Sequence, residues 1–256
     1  MVKLQSNCTT KMKKSILISA LLLALATISA SSQPSHSIKN IFTIPDFYSV
    51  VLNGGNLNVE LIHSETNEIE VELHNSELEK FRWTVSDGVL SVTLRPTVGA
   101  KPSADVKIYY NGNLHEISAS GTQLTADEPV TSHIMILKVS GGARVNMAVD
   151  ARDLEVEVTG NSSLMLSGTA KYLTLRATER SMVDTRKLDV VSAEVEAATS
   201  AEIYVNATER LVANARTTAK IFYMGNPIIF KDRSSRLNTT MGSSVYNIGP
   251  KESVRY

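Results

Sequence analysis

The chain has 256 residues, of which 43% are apolar and 20% charged, a globular balance rather than that of a disordered or membrane protein. Its formal charge is zero, yet the first thirty residues hold four Lys and no acid, leaving 22 basic and 26 acidic residues for the remainder. That excess of acid argues against a nucleic-acid partner, which would require a basic footprint.

The N-terminus reads as a secretory signal. Lys11, Lys13 and Lys14 precede an apolar stretch from Ile16 to Ile28, and Ala30-Ser31-Ser32 offers small residues for cleavage. Residues 1–32 are therefore expected to leave, with Met12 as an alternative start, and residues 33–256 to form one domain. The stretch is too short to favour a membrane span. Cys8, the sole cysteine, lies before the apolar run and cannot carry a lipid anchor after it. The mature chain then has no disulfide, no thiol nucleophile and no Cys-based metal site. Export to the periplasm or cell surface is the localisation this implies.

From residue 38 onward nearly every segment alternates apolar and polar side chains, the mark of half-buried strands. Leu57, Val59 and Leu61 form one run, and Ile69, Val71 and Leu73 another. Phe81, Trp83 and Val85 lead into Asp87-Gly88, a hairpin signal, and Leu90, Val92 and Leu94 follow it. Val106, Ile108 and Tyr110 continue the pattern, while Pro96–Ser103 reads as a loop and the weakest point between an N-terminal part (38–114) and a repeat part (115–248). No segment after the signal carries a sustained helical period, so the class is all-β.

The repeat part has internal periodicity. Ser140-Gly141-Gly142-Ala143-Arg144-Val145 recurs as Thr159-Gly160-Asn161-Ser162-Ser163-Leu164, then in degraded form ending at Val183, Ile203 and Ile221, in steps of 19, 19, 20 and 18 residues. A small residue (Ala143, Ser162, Ser181, Ala201, Ala219) stands two places before each of these apolar residues. Coils of about 19 residues with strand patterning predict a β-solenoid, in which stacked coils about 4.8 Å apart bury one another's inward faces. The same register places Lys138, Glu157, Arg176, Glu196 and Asn214 in one outward column of alternating sign, each charge facing an opposite one.

The repeated S-G-x-A/S-x-V element resembles the bacterial DUF2807 family, the putative auto-transporter adhesin head, GIN domain. So do Ile221–Pro227 followed by Met241-Gly242-Ser243-Ser244-Val245, the opening Ile44–Val50 stretch and the Asp87-Gly88 strand pair, over about residues 38–248. The resemblance implies a single-stranded right-handed parallel β-helix, with some antiparallel hairpin in its N-terminal part. It offers no functional residues to carry over. Glu179, Thr199 and Thr217 stand where the motif has Gly, so those corners are expected to take a conformation open to ordinary residues.

Three functional readings remain: a non-enzymatic surface or periplasmic binding or scaffold protein, a polysaccharide lyase or hydrolase, and a purely structural module that contacts itself. The enzyme needs clustered carboxylates, for which Asp150, Asp153, Asp184 and Asp189 with Arg152, Lys171 and Arg186 are the nearest approach. His36, His63, His74, His115 and His133 form no metal signature; His115 and His133 could neighbour one another on successive coils. No catalytic, metal or cofactor site is assigned, and no cofactor is expected. The outward column Asn146, Met165, Asp184, Tyr204, Phe222 ends in two aromatics, so Tyr204 and Phe222 are the candidate ligand surface, with packing beneath residues 228–248 as the plainer account. A glycan, an envelope protein or a second copy are the partners considered. The sequons at Asn161, Asn206 and Asn238 read as ordinary turn residues.

Overall fold

The computed structural model describes residues 37–74, 80–96, 102–230 and 244–249. The signal-peptide expectation, Cys8, His36, most of the Pro96–Ser103 loop and the Asn238 sequon lie outside the described residues.

The chain forms β1 (Ser37–Thr43), β2 (Ser49–Asn53), β3 (Leu57–His63), β4 (Glu68–His74), β5 (Phe81–Ser86), β6 (Val89–Leu94), β7 (Ser103–Tyr110) and β8 (Glu116–Ser120). Five long strands follow: β9 (Gln123–Ser140), β10 (Arg144–Val158), β11 (Ser163–Ala177), β12 (Met182–Ala197) and β13 (Glu202–Ala215). Three short ones complete it: β14 (Lys220–Met224), β15 (Ile228–Phe230) and β16 (Ser244–Asn247). All sixteen belong to one sheet, wound into a solenoid of about 6 turns, and no helix occurs among the described residues.

Each long strand spans two faces of its coil. In β10 the inward positions are Val145, Met147 and Val149, then Leu154, Val156 and Val158, so the two-residue alternation slips once near Arg152. The slip marks a corner. Residues 123–125 of β9 extend the sheet of β3, while residues 136–140 extend that of β8. From β9 to β13 every neighbour is parallel. The expected register holds: Met135, Leu154, Leu173, Ala193 and Leu211 are mutual ladder partners. The irregular steps appear as bulges. Two extra residues enter β9 between Ala126 and Val130, around Pro129, and one additional residue enters β12 between Asp184 and Lys187.

The N-terminal part joins the same sheet in non-sequential order. Strand β2 lies between β6 and β8, and β3 between β7 and β9, all parallel. The coil β6/β7 therefore stacks outside β2/β3 although it follows it in the chain. Antiparallel strands close this end: β4 on β7, β1 on β4, and β5 on β6 through the expected Asp87-Gly88 turn.

Between coils the chain reverses through four residues, two of them at positive φ. The pairs are Gly141/Gly142, Gly160/Asn161, Glu179/Arg180, Thr199/Ser200 and Thr217/Thr218. In most of these turns the residue after the pair donates to the carbonyl before it, as in Ala143 N–H to Ser140 O at 3.1 Å and Ala219 N–H to Arg216 O at 3.1 Å. Two successive positive φ values with that bond define a type I′ turn. The expectation that Glu179, Thr199 and Thr217 sit in a more permissive conformation is thus corrected: they adopt the left-handed one at φ 57°, 52° and 49°. The reason is the stacking. Each turn donates to the next, from Gly142 N–H to Gly160 O at 2.9 Å through Ser200 N–H to Thr217 O at 3.0 Å, so neighbouring coils hold a geometry these residues would not choose alone. The small residue after each pair is buried, between 0% and 1% exposed, as the packing argument requires.

Candidate functional site

Outward side chains stack in columns because every coil repeats the same register. One column starts with Lys107 and Glu60 at the closed end, paired at 3.3 Å. It continues through Thr125, Asn146 and Met165 to Asp184. There it becomes aromatic. Tyr204 follows Asp184, Phe222 follows Tyr204, and Tyr246 follows Phe222.

The structure brings the two predicted residues together. Tyr204 and Phe222 lie 4.7 Å apart at 11°, and Phe222 and Tyr246 5.1 Å apart at 17°. On the other side of Tyr204 the Arg186 guanidinium sits 5.1 Å from the ring centroid. Asp184 holds that guanidinium through hydrogen bonds from Nε, at 2.9 Å, and Nη2, and also accepts the Arg186 backbone N–H at 3.1 Å. The side-chain hydrogen bond from Arg186 keeps the Asp184 carboxyl below the usual carboxylate range against the opposing effect of burial.

Strand order puts Arg186 before Tyr204 and Phe222 after it, so both faces of Tyr204 and both faces of Phe222 are covered. That occupancy leaves the edges of Tyr204 and Phe222, rather than their faces, for a ligand. Tyr246, at the end of the stack, is 44% exposed. Met165, 50% exposed, belongs to the column, and Met182, 49% exposed, lies beside it two residues before Asp184. The product is an amphipathic strip of Met, Arg and aromatic edges, the composition of protein contact surfaces.

Sequence reasoning missed Tyr246 and the placement of Arg186. Tyr246 had a signal: it follows inward Val245 as Phe222 follows Ile221 and Tyr204 follows Ile203. Arg186 had none, because the bulge in β12 turns it onto the ring.

The charge column is in register, with Glu157 paired to Lys138 and Arg176, and Glu196 to Arg176 and Asn214. Its ion pairs are fewer than alternation suggests. Arg176 reaches Glu196 at 3.8 Å, which also takes Arg216 at 3.5 Å, whereas Lys138 turns back to Glu116 at 2.7 Å. Exposed pairs of this kind stabilise by about 0–1 kcal/mol.

The four aspartates considered for catalysis do not converge. Asp153 pairs with Arg152 and Asp184 with Arg186. Asp150 accepts from Thr169 Oγ1 at 2.7 Å, and Asp189 from Asn206 Nδ2 at 2.8 Å. His115 packs against Tyr48, His63 against Tyr110, and His74 contacts Asp105 at 2.9 Å. His115 and His133 are out of register, since residue 116 pairs with 136. Among the described residues no three His, Cys, Asp or Glu side chains gather as a metal site. Asn206 is 3% exposed with its amide engaged, so that sequon is closed to modification.

The fold and this strip define a class: a β-solenoid built from parallel coils, closed at one end by antiparallel strands and presenting columns of side chains on flat outer faces. The chain belongs to the DUF2807 family, described as putative auto-transporter adhesin, head GIN domain, which matches residues 46–227. No curated protein matches it. Among solved structures it is similar to a putative adhesin from Bacteroides fragilis, at 18% identity and a TM-score of 0.70, over 84% of this chain and 94% of that one. A putative adhesin from Parabacteroides merdae matches at 19% and 0.63, over 83% and 96%. A putative lipid binding protein from Parabacteroides distasonis matches at 18% and 0.62, over 83% and 97%. These likenesses show the fold.

Proposed function

We propose that the protein is an exported, non-enzymatic binding or scaffold module of the cell surface or periplasm, adhesin-like in role. The contact surface is the strip formed by Met165, Met182, Arg186 and the edges of Tyr204, Phe222 and Tyr246. The observation that carries this reading is the occupied ring stack. It leaves an amphipathic strip beside which, among the described residues, no carboxylates cluster. Support for export comes from the order of basic, apolar and small residues at the start of the chain. The membership of an adhesin-described family and the adhesin-described structural neighbours point the same way.

Two experiments test it. N-terminal sequencing of the protein recovered from periplasm and medium is expected to start at or near residue 33; recovery only from the cytoplasm with an intact N-terminus rejects export. Immobilised protein is expected to retain an envelope protein in pull-down, and the Met165→Asp/Met182→Asp variant to lose it at an unchanged melting temperature. Empty results in pull-down, cell-adhesion and glycan-array assays together remove the binding reading.

A further inference from the structure

Several cations of this solenoid meet a carboxylate on a neighbouring strand. Lys39 meets Glu70 at 2.8 Å, Lys107 meets Glu60 at 3.3 Å and Lys220 meets Glu202 at 3.2 Å. Lys80, Arg82 and Arg95 instead face one another. The Arg95 backbone N–H donates to Lys80 O at 3.0 Å, which extends the β5–β6 ladder and sets these two cations directly opposite each other. Arg82 lies two residues from Lys80, on the same side of β5, because Phe81 between them points into the core at 7% exposure. Leu94, at 2% exposure, fixes Arg95 in the same way from β6.

The three cations and Pro96 line one open depression at the closed end of the solenoid. Among the described residues no carboxylate lies within ion-pair distance of any of them. Arg144, Lys171, Arg180, Lys187 and Arg210 also lack one, but Lys171 and Arg210 lie over the Tyr172 and Phe230 rings, Arg180 stands in a turn, and the ladder neighbours of Arg144 and Lys187 are the uncharged Gln123, Ser163 and Ser167. A like-charge pair directly across a ladder is unfavourable, and here the core residues on both strands prevent the backbone from relaxing away from it.

We propose that Lys80, Arg82 and Arg95 form a binding site for a phosphate group. Two guanidinium forks and an ammonium present many donors and three positive charges in one depression. A carboxylate or a sulfate ester brings a single negative charge, whereas a phosphate monoester carries about −1.5 to −2 with three acceptor oxygens. The site is remote in register from the aromatic strip and does not rest on the function proposed for it. The competing account is edge protection: β5 is the outermost strand of its face, and cations there would deter pairing with another chain. Glu77 and Glu79, close to Lys80 in the sequence, lie outside the described residues, so the test includes their removal.

The experiment titrates the full chain at low salt with inorganic pyrophosphate by calorimetry, and in parallel with vesicles of phosphatidic acid in phosphatidylcholine. Saturable binding that weakens with added salt is expected in at least one arm. Pyrophosphate binding supports a soluble phosphate source, and binding to vesicles alone supports a lipid headgroup. Arg82→Gln and Arg95→Gln are each expected to weaken binding about tenfold or more, with Lys187→Gln unchanged. The melting temperature of the double variant should not fall, since repulsion has been removed. The proposal is overturned if neither probe binds, or if the double variant binds as well as the native chain. It is equally overturned if binding appears only in Glu77→Gln/Glu79→Gln, which would mean that those acids neutralise the cluster. New self-association of the double variant with no phosphate binding would establish edge protection instead.

Discussion

The early and late coils of the repeat solve the same geometric problem with different materials. In the early coils the turns are Gly141/Gly142 and Gly160/Asn161, and the inward column beside them holds Val139 and Val158. In the late coils the turns are Thr199/Ser200 and Thr217/Thr218, and that column shrinks to Ala177, Ala197 and Ala215. Late coils thus have more backbone strain and less apolar volume on that side. They also carry the features the early coils lack: the aromatic stack and the Ser200–Thr218 hydroxyl contact at 2.6 Å across neighbouring turns. The comparison teaches that a parallel ladder can impose one conformation on unequal sequences, and that outer-surface stacking supplements a thinning interior.

The largest effect should come from breaking the corner that early and late coils share. Gly168 has φ 105°, and a Cβ there would lie 2.1 Å from Val149 O in the coil beneath. Gly168→Ala cannot relax without moving that backbone, so a loss of at least about 3 kcal/mol is expected, read as a collapse of the denaturant midpoint or failure to fold. A melting curve equal to the native one would show that the coils are not rigidly stacked at that corner.

Next in size is the late-coil stack. Phe222→Ala removes contacts with Tyr204 and Tyr246 at once and should cost roughly 2–4 kcal/mol, from lost burial plus aromatic pairing. Hydrogen exchange should quicken in residues 202–224 and stay slow in residues 144–158; uniform quickening would show that the two regions open together.

Strain relief should work in the opposite direction. Thr217→Asn/Thr218→Gly installs the favoured type I′ pair in the last described turn and should stabilise by about 1 kcal/mol, after the loss of the Thr218 hydroxyl contacts. The same change made at Gly141/Gly142, as Gly141→Thr/Gly142→Thr, should destabilise by about 2 kcal/mol, both read from denaturant midpoints. Equal and opposite effects would mean that strain alone separates the two regions.

The smallest expected effect is on pH dependence. Because Arg186 depresses the Asp184 pKa in the folded state, its contribution is present above the unfolded value and is lost as pH falls through the folded one. Asp184 is 21% exposed but its partner Arg186 is half-exposed, so solvent screening should hold the contribution to about 1 kcal/mol. Arg186→Gln should therefore narrow the stability difference from native protein as pH drops below the ordinary carboxylate range, and leave it flat above pH 6.

Much of this was legible before any coordinates. Spacing alone aligned Val145, Leu164, Val183, Ile203 and Ile221, and all five are ladder partners. The same count put Tyr204 next to Phe222. It failed at Lys138, where a flexible ammonium chose Glu116 of the preceding coil over Glu157, because long side chains select partners by reach as well as register. It failed at Glu179, Thr199 and Thr217, where local propensity was overruled by hydrogen bonds from neighbouring coils. The Asp87-Gly88 turn sets Lys80 opposite Arg95 by counting, but only the fold shows that no carboxylate of a neighbouring described strand reaches them.

The sequence by itself determined the coil, its period and which side chains point inward, because alternation and repeat length are local and each stacked strand must match its neighbour's register. The tertiary structure alone decided the order of the first coils, the left-handed turns built from ordinary residues, the face-to-face ring stack and the unpaired cations. Those depend on which strands lie side by side in space, a choice settled by summed burial and hydrogen bonding that no single segment encodes.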